Sequence, residues 1–212
     1  MPAIEPPPNC PLCPRLADFR EENRRAHPGW FNAPVPGWGD DNPKLLIVGL
    51  APGLQGANRT GRPFTGDYAG DLLFATLGKL GLARGDYDRR RDDGFELTGA
   101  RICNAVHCVP PQNKPTGAEI ATCRRYLVAT IAAFPGAKVF LALGRIAHES
   151  LLAALGERRA GFKFAHGARH ELSGDRLLFD SYHCSRYNTN TGRLTAKMFE
   201  AVVEAAKAEA GM

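Results

Sequence analysis

The sequence predicts a three-layer α/β/α fold in which a central, largely parallel, four-stranded sheet lies between two layers of helices. Two observations carry this prediction. Nearly continuous apolar runs of strand length recur along the chain, as is typical of parallel strands buried on both faces. Segments with helical spacing separate these runs. The 212 residues are enough for one core, so we expect a single domain over residues 1–212.

Four segments are expected to form the strands. The first, Lys44–Leu50, and the third, Ala137–Gly144, are almost wholly apolar. The second, Phe95–Val106, is expected to bend at Gly99, and the fourth is Asp175–His183. Their order along the chain, with helices between them, predicts parallel neighbours within one sheet.

Helical segments are expected at five places, namely Leu16–Ala26, Gly70–Leu82, Thr116–Phe134, Arg145–Leu155 and Leu194–Ala210. Thr116 with Glu119 three residues later is the pattern of a capping box. The rest of residues 1–43 is expected to form an extended N-terminal arm. Arg84–Gly94 is expected to be a solvated connection of mixed charge, whose Arg89–Arg91 run could touch a phosphate.

Composition limits the classes of function. The net charge of +5 favours an anionic partner, with nucleic acid the first candidate, although many soluble proteins are mildly basic. No run of about 20 apolar residues occurs, and the N-terminus lacks the features of a signal peptide. We therefore expect a cytoplasmic protein without a membrane segment, whose six cysteines do not form disulfides.

A glycine-rich loop follows the first predicted strand. Gly49–Asp67 reads GLAPGLQGANRTGRPFTGD and holds five glycines and two prolines. It contains neither a phosphate-loop lysine nor a dinucleotide fingerprint, so a nucleotide cofactor is disfavoured. Loops at the carboxyl ends of parallel strands meet at one edge of a sheet, where ligands bind. This loop is therefore expected to meet the loops beginning at Asn104 and at Ser181.

Four cysteines have the spacing of a metal site. Cys10 and Cys13 form a CxxC pair near the N-terminus, and fourteen residues separate Cys108 from Cys123. Four thiolates suit zinc or an iron–sulfur cluster, and the irregular spacing of the second pair favours a cluster. The alternative is a redox CxxC, which normally lies at a strand–helix junction rather than in a proline-rich arm. Cys103 is expected to be a buried small apolar residue.

These motifs together resemble the family 5 uracil-DNA glycosylases, iron–sulfur members of the uracil-DNA glycosylase superfamily. The matching segments are GLAPGLQGANRTGRPFTGD, NAVHCVPPQNKPT and SYHCSRYNTNTGRLT, with CPLC near the start. They span nearly the whole chain.

The resemblance implies a DNA glycosylase of base excision repair that extrudes uracil from DNA and removes it by hydrolysis, without strand cleavage. It also implies activity on hypoxanthine and other deaminated or damaged bases. A structural 4Fe–4S cluster is implied on Cys10, Cys13, Cys108 and Cys123. We expect a monomer of prokaryotic cytoplasm that works at the nucleoid, with DNA as its partner.

The resemblance also places roles on individual residues. Phe64 is expected to stack on the extruded base, and the Asn104 amide to match the O4/N3–H edge of uracil. His183 is expected to donate a hydrogen bond to O2 of the departing base. The substrate-binding set implied is Gly49, Leu50, Ala51, Gly53, Phe64, Asn104, His183, Ser185 and Arg186, and the catalytic set is Asp67, Asn104 and His183.

Asp67 is expected to orient the attacking water or to stabilise the sugar cation. The alternative is that Asp67 merely caps the helix that follows. Asp71 and Gln55 are further candidates for the water. Phosphate contacts are expected from Arg59, Arg62, Lys114, Ser185 and Arg186, and insertion into the base stack from Arg186 and Tyr187.

The sequence departs from the family pattern at two places. Leu50 and Ala51 stand where related enzymes keep a polar or acidic residue, and Cys184 stands where the proline of an HPS motif is usual. Cys184 could stiffen the loop less than proline does, or serve as a reactive thiol. These departures keep open a second function, that of a non-catalytic iron–sulfur protein that binds nucleic acid or senses redox state.

Overall fold

A computed structural model describes residues 4–212, and its main sheet has six strands. The strands are β1 (Trp38–Gly39), β2 (Leu45–Gly49), β3 (Ala83–Arg84), β4 (Glu96–Leu97), β5 (Ala100–Asn104), β6 (Val139–Leu143), β7 (Arg169–Leu172) and β8 (Arg176–Ser181). The helices are α1 (Pro14–Ala26), α2 (Ala57–Thr60), α3 (Tyr68–Lys79), α4 (Gly117–Ala133), α5 (Arg145–Ala154), α6 (Arg186–Asn190) and α7 (Ala196–Glu209).

The strand order of the main sheet is β1-β5-β2-β6-β8-β7. Its four central strands run parallel, as the sequence predicts, while the edge strands β1 and β7 are antiparallel. The predicted number of four strands was therefore too low. Both missed strands are short and partly exposed, so neither contains the apolar run that marks a buried strand.

Alternation along β2 separates the two helical layers. Leu45 and Ile47 pack into a cluster that includes side chains of α3 and α7. Leu46 and Val48 face the opposite side and pack with side chains of α4 and α5. Because successive side chains of a strand point to opposite faces, one fully buried strand supplies both cores.

The second predicted strand is interrupted at Gly99, which has a φ of 68°. The segment before it, β4, pairs with β3 in a separate two-stranded sheet, while β5 enters the main sheet. A φ in this left-handed region favours glycine, so the predicted bend is confirmed but divides the segment into two strands.

The five predicted helices are present, with ends shifted by a few residues. The capping box at the start of α4 is confirmed, because the Thr116 side chain accepts from the Glu119 amide and Glu119 accepts from the Thr116 amide. Glu119 also forms an ion pair with Arg15 of α1 at 2.7 Å. None of the helices within residues 4–212 combines the length and apolar character needed to cross a membrane.

The segment Arg84–Gly94 is less solvated than its charge pattern predicts. Asp93 is buried and forms a two-pronged ion pair with the buried Arg62, with oxygen–nitrogen distances of 2.7 and 2.8 Å. Burial by itself would raise the pKa of Asp93, but hydrogen bonds from Arg62 and from backbone amides outweigh it and lower the pKa to about 2. Arg62 also lies over the Trp38 ring at 4.8 Å. The prediction that Arg62 contacts a phosphate was therefore wrong.

Candidate active site

A cavity of about 520 Å³ opens at the carboxyl edge of the parallel strands. It lies where the loops after β2, β5 and β8 converge, as the topology of an open parallel sheet favours. The residues that line it are Leu50, Ala51, Pro52, Gly53, Leu54, Gln55, Gly56, Phe64, Asp67, Tyr68, Ala69, Asn104, Asn113, His183, Ser185 and Arg186. A lining of this kind, mostly apolar with a few convergent polar groups, is typical of a small-ligand site.

Asp67 is the only carboxylate among these lining residues. Its Oδ1 atom accepts hydrogen bonds from the amides of Ala69 and Gly70, so Asp67 caps α3 as the alternative interpretation holds. Its Oδ2 atom faces the glycine loop. Burial raises the pKa of Asp67, although the two amide hydrogen bonds act in the opposite direction. One oxygen thus serves the helix and the other remains available for chemistry.

Glycines bring the loop close to this free oxygen. A Cβ atom on Gly56 would lie 2.5 Å from Asp67 Oδ2, and one on Gly53 would lie 2.9 Å from it. Any side chain at either position would push against the carboxylate. The glycines are therefore needed for the close approach of backbone and carboxylate.

Phe64 forms an aromatic wall of the cavity. It is 6% exposed, and its ring lies 5.9 Å from the His183 ring with an angle of 28° between the planes. Its φ of 58° is unusual for an aromatic residue. Such backbone strain persists where the surrounding structure enforces it and is concentrated at functional sites.

Asn104 ends β5 and is 3% exposed. Its Oδ1 atom is buried without a hydrogen-bond partner among the described residues. Leaving a buried acceptor unpaired costs about 1–3 kcal/mol. A ligand that donates a hydrogen bond here would remove that cost, so the site suits a planar group with an N–H on its edge.

His183 follows β8, and its carbonyl oxygen accepts a hydrogen bond from Asn188 Nδ2 at 2.8 Å. Burial of the ring lowers the pKa of His183 to about 4. The imidazole is therefore neutral at pH 7, and it can donate a hydrogen bond without first binding a second proton.

The depressed pKa of His183 predicts acid destabilisation. The stability that this group contributes is fully present above the ordinary histidine pKa near 6.5. It is lost as pH falls from there towards the folded-state pKa of about 4, because the unfolded chain binds the proton more readily than the buried ring does. Between pH 6.5 and 5 we expect the free energy of unfolding to fall by up to about 1.4 kcal/mol per pH unit from this group. Urea titrations of the protein and of His183→Asn over this range measure the difference. Identical slopes would contradict the assigned pKa.

Gly49 does not line the cavity, but it leaves room for two side chains that do. A Cβ atom there would lie 2.5 Å from Asn104 Oδ1 and 2.6 Å from Phe64 Cζ. Because Gly49 has no Cβ atom, the Asn104 amide and the Phe64 ring can both lie close to the end of β2. Gly49 thus shapes the cavity from outside its lining.

Gly49→Ala is expected to displace both side chains. Overpacking of this kind costs about 1–3 kcal/mol of stability, and displacing site residues by about 1 Å can slow a reaction by about 10²-fold. Gly78→Ala is the matched control, because a Cβ atom on Gly78 meets nothing within 4 Å inside α3. Thermal unfolding and single-turnover rates measure both variants. A Gly49→Ala variant as active as Gly78→Ala would contradict this assignment.

Comparison with known proteins identifies the family of this chain. Residues 36–207 match the family model described as the uracil DNA glycosylase superfamily. The chain belongs to this superfamily. The chain is 47% identical over 208 residues to a type-5 uracil-DNA glycosylase of Thermus thermophilus, covering 96% of this chain and 94% of that protein. It is 42% identical to a type-5 enzyme of Pyrobaculum aerophilum, covering 96% and 90%. A type-4 uracil-DNA glycosylase of the same organism is 35% identical over 71% of this chain.

In this chain, eight of the nine predicted substrate-binding residues line the cavity, and the ninth is Gly49. Leu50 and Ala51 contribute apolar walls to the cavity. Ser185 caps α6, its side chain accepting from the Asn188 amide. Arg186 lies over the Tyr68 ring at 5.3 Å. The functional roles of these residues stay predictions.

Two lining residues with polar side chains were missed from the sequence. Tyr68 directly follows Asp67 and is 38% exposed. Asn113 has a φ of 57° and belongs to the motif NAVHCVPPQNKPT. Asparagine tolerates this left-handed conformation better than most residues. Its position between prolines was the signal that could have identified a shaped loop.

Several other candidates lie outside the cavity lining. Asp71 forms an ion pair with Arg89 at 2.7 Å on the protein surface, so its carboxylate is already paired. The Lys114 backbone oxygen accepts from Arg15, and Arg59 and Lys114 are not lining residues.

Cys184 is fully buried within the apolar core. Burial raises its pKa further above the ordinary thiol range. Both features disfavour the alternative of a reactive thiol at Cys184. The loop after His183 instead enters α6 directly at the Ser185 cap.

The four predicted metal-ligating cysteines converge on one small cavity between α1, α4 and the loop after β5. The Cys123 sulfur accepts a hydrogen bond from the His107 amide at 3.4 Å. Burial raises the pKa of Cys108 to about 11 and that of Cys123 to about 12. Thiolates form in such a place only when nearby cations compensate their charge.

The spacing of these sulfurs bears on which metal group they could hold. Four sulfurs at about 2.3 Å from one zinc would lie roughly 3.8 Å apart. Within residues 4–212, no three of the four Sγ atoms come within 4.8 Å of one another, and the trio that meets this limit is His148, His170 and Asp180. A four-cysteine donor set suits zinc as well as an iron–sulfur cluster, so the identity of the bound group stays a prediction.

Proposed function

We propose that this protein is a monofunctional uracil-DNA glycosylase, which hydrolyses the bond between deoxyribose and uracil in DNA and so starts base excision repair. The observation that carries the proposal is the meeting of Phe64, Asn104, His183 and Asp67 around one cavity at the carboxyl edge of the sheet. The type-5 uracil-DNA glycosylases that it resembles over almost their whole length support it.

Recognition follows from the walls of the cavity. A base must leave the helical stack to reach this site, and Phe64 offers its ring as a platform. The unpaired Asn104 Oδ1 atom accepts from N3–H of uracil, and the amide nitrogen then donates to O4. Cytosine has no N3–H and carries a donor at position 4, so it would leave the same amide mismatched.

Bond cleavage uses the other two groups. As the glycosidic bond breaks, negative charge develops on the uracil ring, and neutral His183 donates to O2 in a site shielded from water. The deoxyribose becomes cationic, and the Asp67 carboxylate stabilises it while accepting a proton from the attacking water. Water supplies the oxygen on C1′, and uracil leaves as an anion that is then protonated.

The four cysteines have a separate role in this proposal. Cys10, Cys13, Cys108 and Cys123 would hold a 4Fe–4S cluster, whose chemistry here is structural. It would tie the start of α1 to the loop that carries Asn113. The electron-transfer chemistry that such clusters can supply is not needed for hydrolysis of the glycosidic bond.

An activity panel tests the proposed function. The purified protein is incubated with oligonucleotides carrying uracil, hypoxanthine or a thymine mispair, and abasic sites are detected by alkaline cleavage. We expect abasic sites at uracil and slower release of hypoxanthine, with none at cytosine. DNA binding without abasic sites on any substrate would instead support the non-catalytic alternative.

A further inference from the structure

The connection between β3 and β4, residues 85–95, packs against the turn that carries Phe64 and Asp67. Its sequence, GDYDRRRDDGF, is mostly charged and is typical of a solvated surface loop. Of the described residues that line the candidate active site, none belongs to this connection. The connection nevertheless reaches the turn at two places, once through Tyr87 and once through Asp93.

The first contact is a hydrogen bond to the backbone of the turn. The Tyr87 hydroxyl oxygen accepts from the Gly66 amide at 3.2 Å. The Tyr87 ring packs against the rings of Phe74 and Phe95, whose centres lie 4.6 and 5.8 Å away. This packing fixes the position of the hydroxyl group. It therefore provides a fixed acceptor for the amide that directly precedes Asp67 in the chain.

The first turn of α3 confines the same backbone from another side. A Cβ atom on Gly70 would overlap the Phe64 carbonyl group and would lie 2.9 Å from the Tyr87 hydroxyl oxygen. The helix approaches this closely only because position 70 has no side chain. The φ of 58° at Phe64 needs surroundings that enforce it, and α3 and Tyr87 supply part of them.

The second contact runs from Asp93 through Arg62. The buried Arg62 guanidinium pairs with Asp93 through both of its terminal nitrogens and donates from Nε to Thr65 Oγ1 at 2.7 Å. Thr65 is fully buried, and its carbonyl oxygen accepts from Thr60 Oγ1 at 3.1 Å. Because both ends of the guanidinium are occupied, its Nε is a fixed donor. The two contacts together hold the two consecutive residues that separate Phe64 from Asp67.

We propose that Tyr87 and the Arg62–Asp93 pair are positioning residues for base release. Through these two contacts they fix how the Phe64 ring and the Asp67 carboxylate are placed relative to each other. The inference rests on the proposed function, since it takes these two groups as the platform for the base and the acceptor for the proton of water. Misplacing a reacting group by about 1 Å can slow a reaction by about 10²-fold.

Tyr87→Phe and Thr65→Val test this inference, because each removes one hydroxyl acceptor and leaves the Arg62–Asp93 ion pair in place. We expect the single-turnover rate of uracil release at saturating protein to fall about tenfold in each variant. Thr65→Ser keeps the hydroxyl and should restore the rate. The protein concentration that gives half the maximal rate should change less than about twofold, because DNA affinity comes mainly from phosphate contacts.

Thr76→Val is the matched control. The Thr76 hydroxyl donates to the Leu72 carbonyl at 2.8 Å within α3, and the residue is 5% exposed, so this variant also loses one hydroxyl hydrogen bond. Its rate should equal that of the unaltered protein.

The pH dependence of the rate gives a readout that a loss of stability alone would not change. Burial raises the pKa of Asp67. A loosened turn admits water to this carboxylate and so lowers its pKa. The acid limb of the rate profile should therefore move to lower pH in Tyr87→Phe and stay in place in Thr76→Val.

Hydrogen exchange of the Gly66 amide, followed by NMR, separates failure of this inference from failure of the proposed function. The amide should exchange faster in Tyr87→Phe than in the unaltered protein or in Thr76→Val, because it has lost its acceptor. Unchanged exchange would overturn the inference whether or not the protein releases uracil. In an active protein, rates for Tyr87→Phe and Thr65→Val equal to that of Thr76→Val would also overturn it. Absent base release from the unaltered protein would instead contradict the proposed function.

Discussion

Replacing Asp67 with serine is expected to slow uracil release by about 10²- to 10⁴-fold, the usual contribution of a general base. Serine caps helices about as well as aspartate, so the substitution keeps the function of the Oδ1 atom, which accepts from the amides of Ala69 and Gly70. It removes the Oδ2 atom that faces Gly53 and Gly56. Single-turnover rates of abasic-site formation measure the effect.

The loss of activity in Asp67→Ser should not be accompanied by a loss of stability. The fold raises the pKa of Asp67, so ionisation of this carboxylate destabilises the folded state as pH rises above the ordinary aspartate value. Serine has no charge to bury, and we expect Asp67→Ser to be at least as stable as the unaltered protein at pH 7. Lower activity without lower stability is the signature of a site residue.

The matched control removes a cap elsewhere. Thr195 caps α7 by accepting from the Met198 amide at 3.2 Å and does not line the cavity. Thr195→Ala should cost roughly 1 kcal/mol of stability and leave base release unchanged. If Asp67→Ser released uracil as fast as Thr195→Ala, Asp67 would be a helix cap and nothing more.

The pH dependence of base release should identify the same group. Asp67 must be ionised to accept a proton from water, so the rate should fall as pH drops through its raised pKa. Protonation of His183 should not lower the rate of base release near pH 6.5, because the pKa of His183 is about 4. Asp67→Ser should lose the acid limb of the profile, and a limb that persists would assign it to another residue.

Replacing Cys108 with serine is expected to remove the proposed iron–sulfur cluster and several kcal/mol of stability, on the scale of other structural metal sites. Cys108 lies on the loop after β5, whereas Cys10 and Cys13 lie before and at the start of α1. Without the shared cluster, the contact between these segments depends on the small apolar cluster around Leu16, and on the Arg15–Glu119 pair.

Iron analysis and absorption spectra measure this prediction. The unaltered protein should carry about four irons per chain and absorb in the visible range from sulfur-to-iron charge transfer. Cys108→Ser should lose both signals. Cys103→Ala is the control, because Cys103 is buried in β5 away from the four ligands and should keep the iron. Stoichiometric zinc in the unaltered protein would overturn the cluster.

Much of the fold could be predicted because it depends on local pattern. The apolar runs at Leu45–Gly49 and Val139–Leu143 mark strands buried on both faces. The Thr116 capping box marks the start of α4. The edge strands escaped prediction because a two-residue strand such as β1 carries no periodic signal. Its pairing is determined by β5, more than sixty positions further along the chain.

The sequence by itself determined the four parallel strands, the helices and the motifs that bring Phe64, Asn104, Asp67 and His183 to one edge of the sheet, because hydrophobic period and chain order constrain these features. Only the tertiary structure decided how each group is used. It turned Arg62 inward onto Asp93, buried Cys184, and divided the two oxygens of Asp67 between a helix cap and the cavity. Such outcomes depend on distances between residues far apart in the chain, and burial and charge pairing follow from those distances.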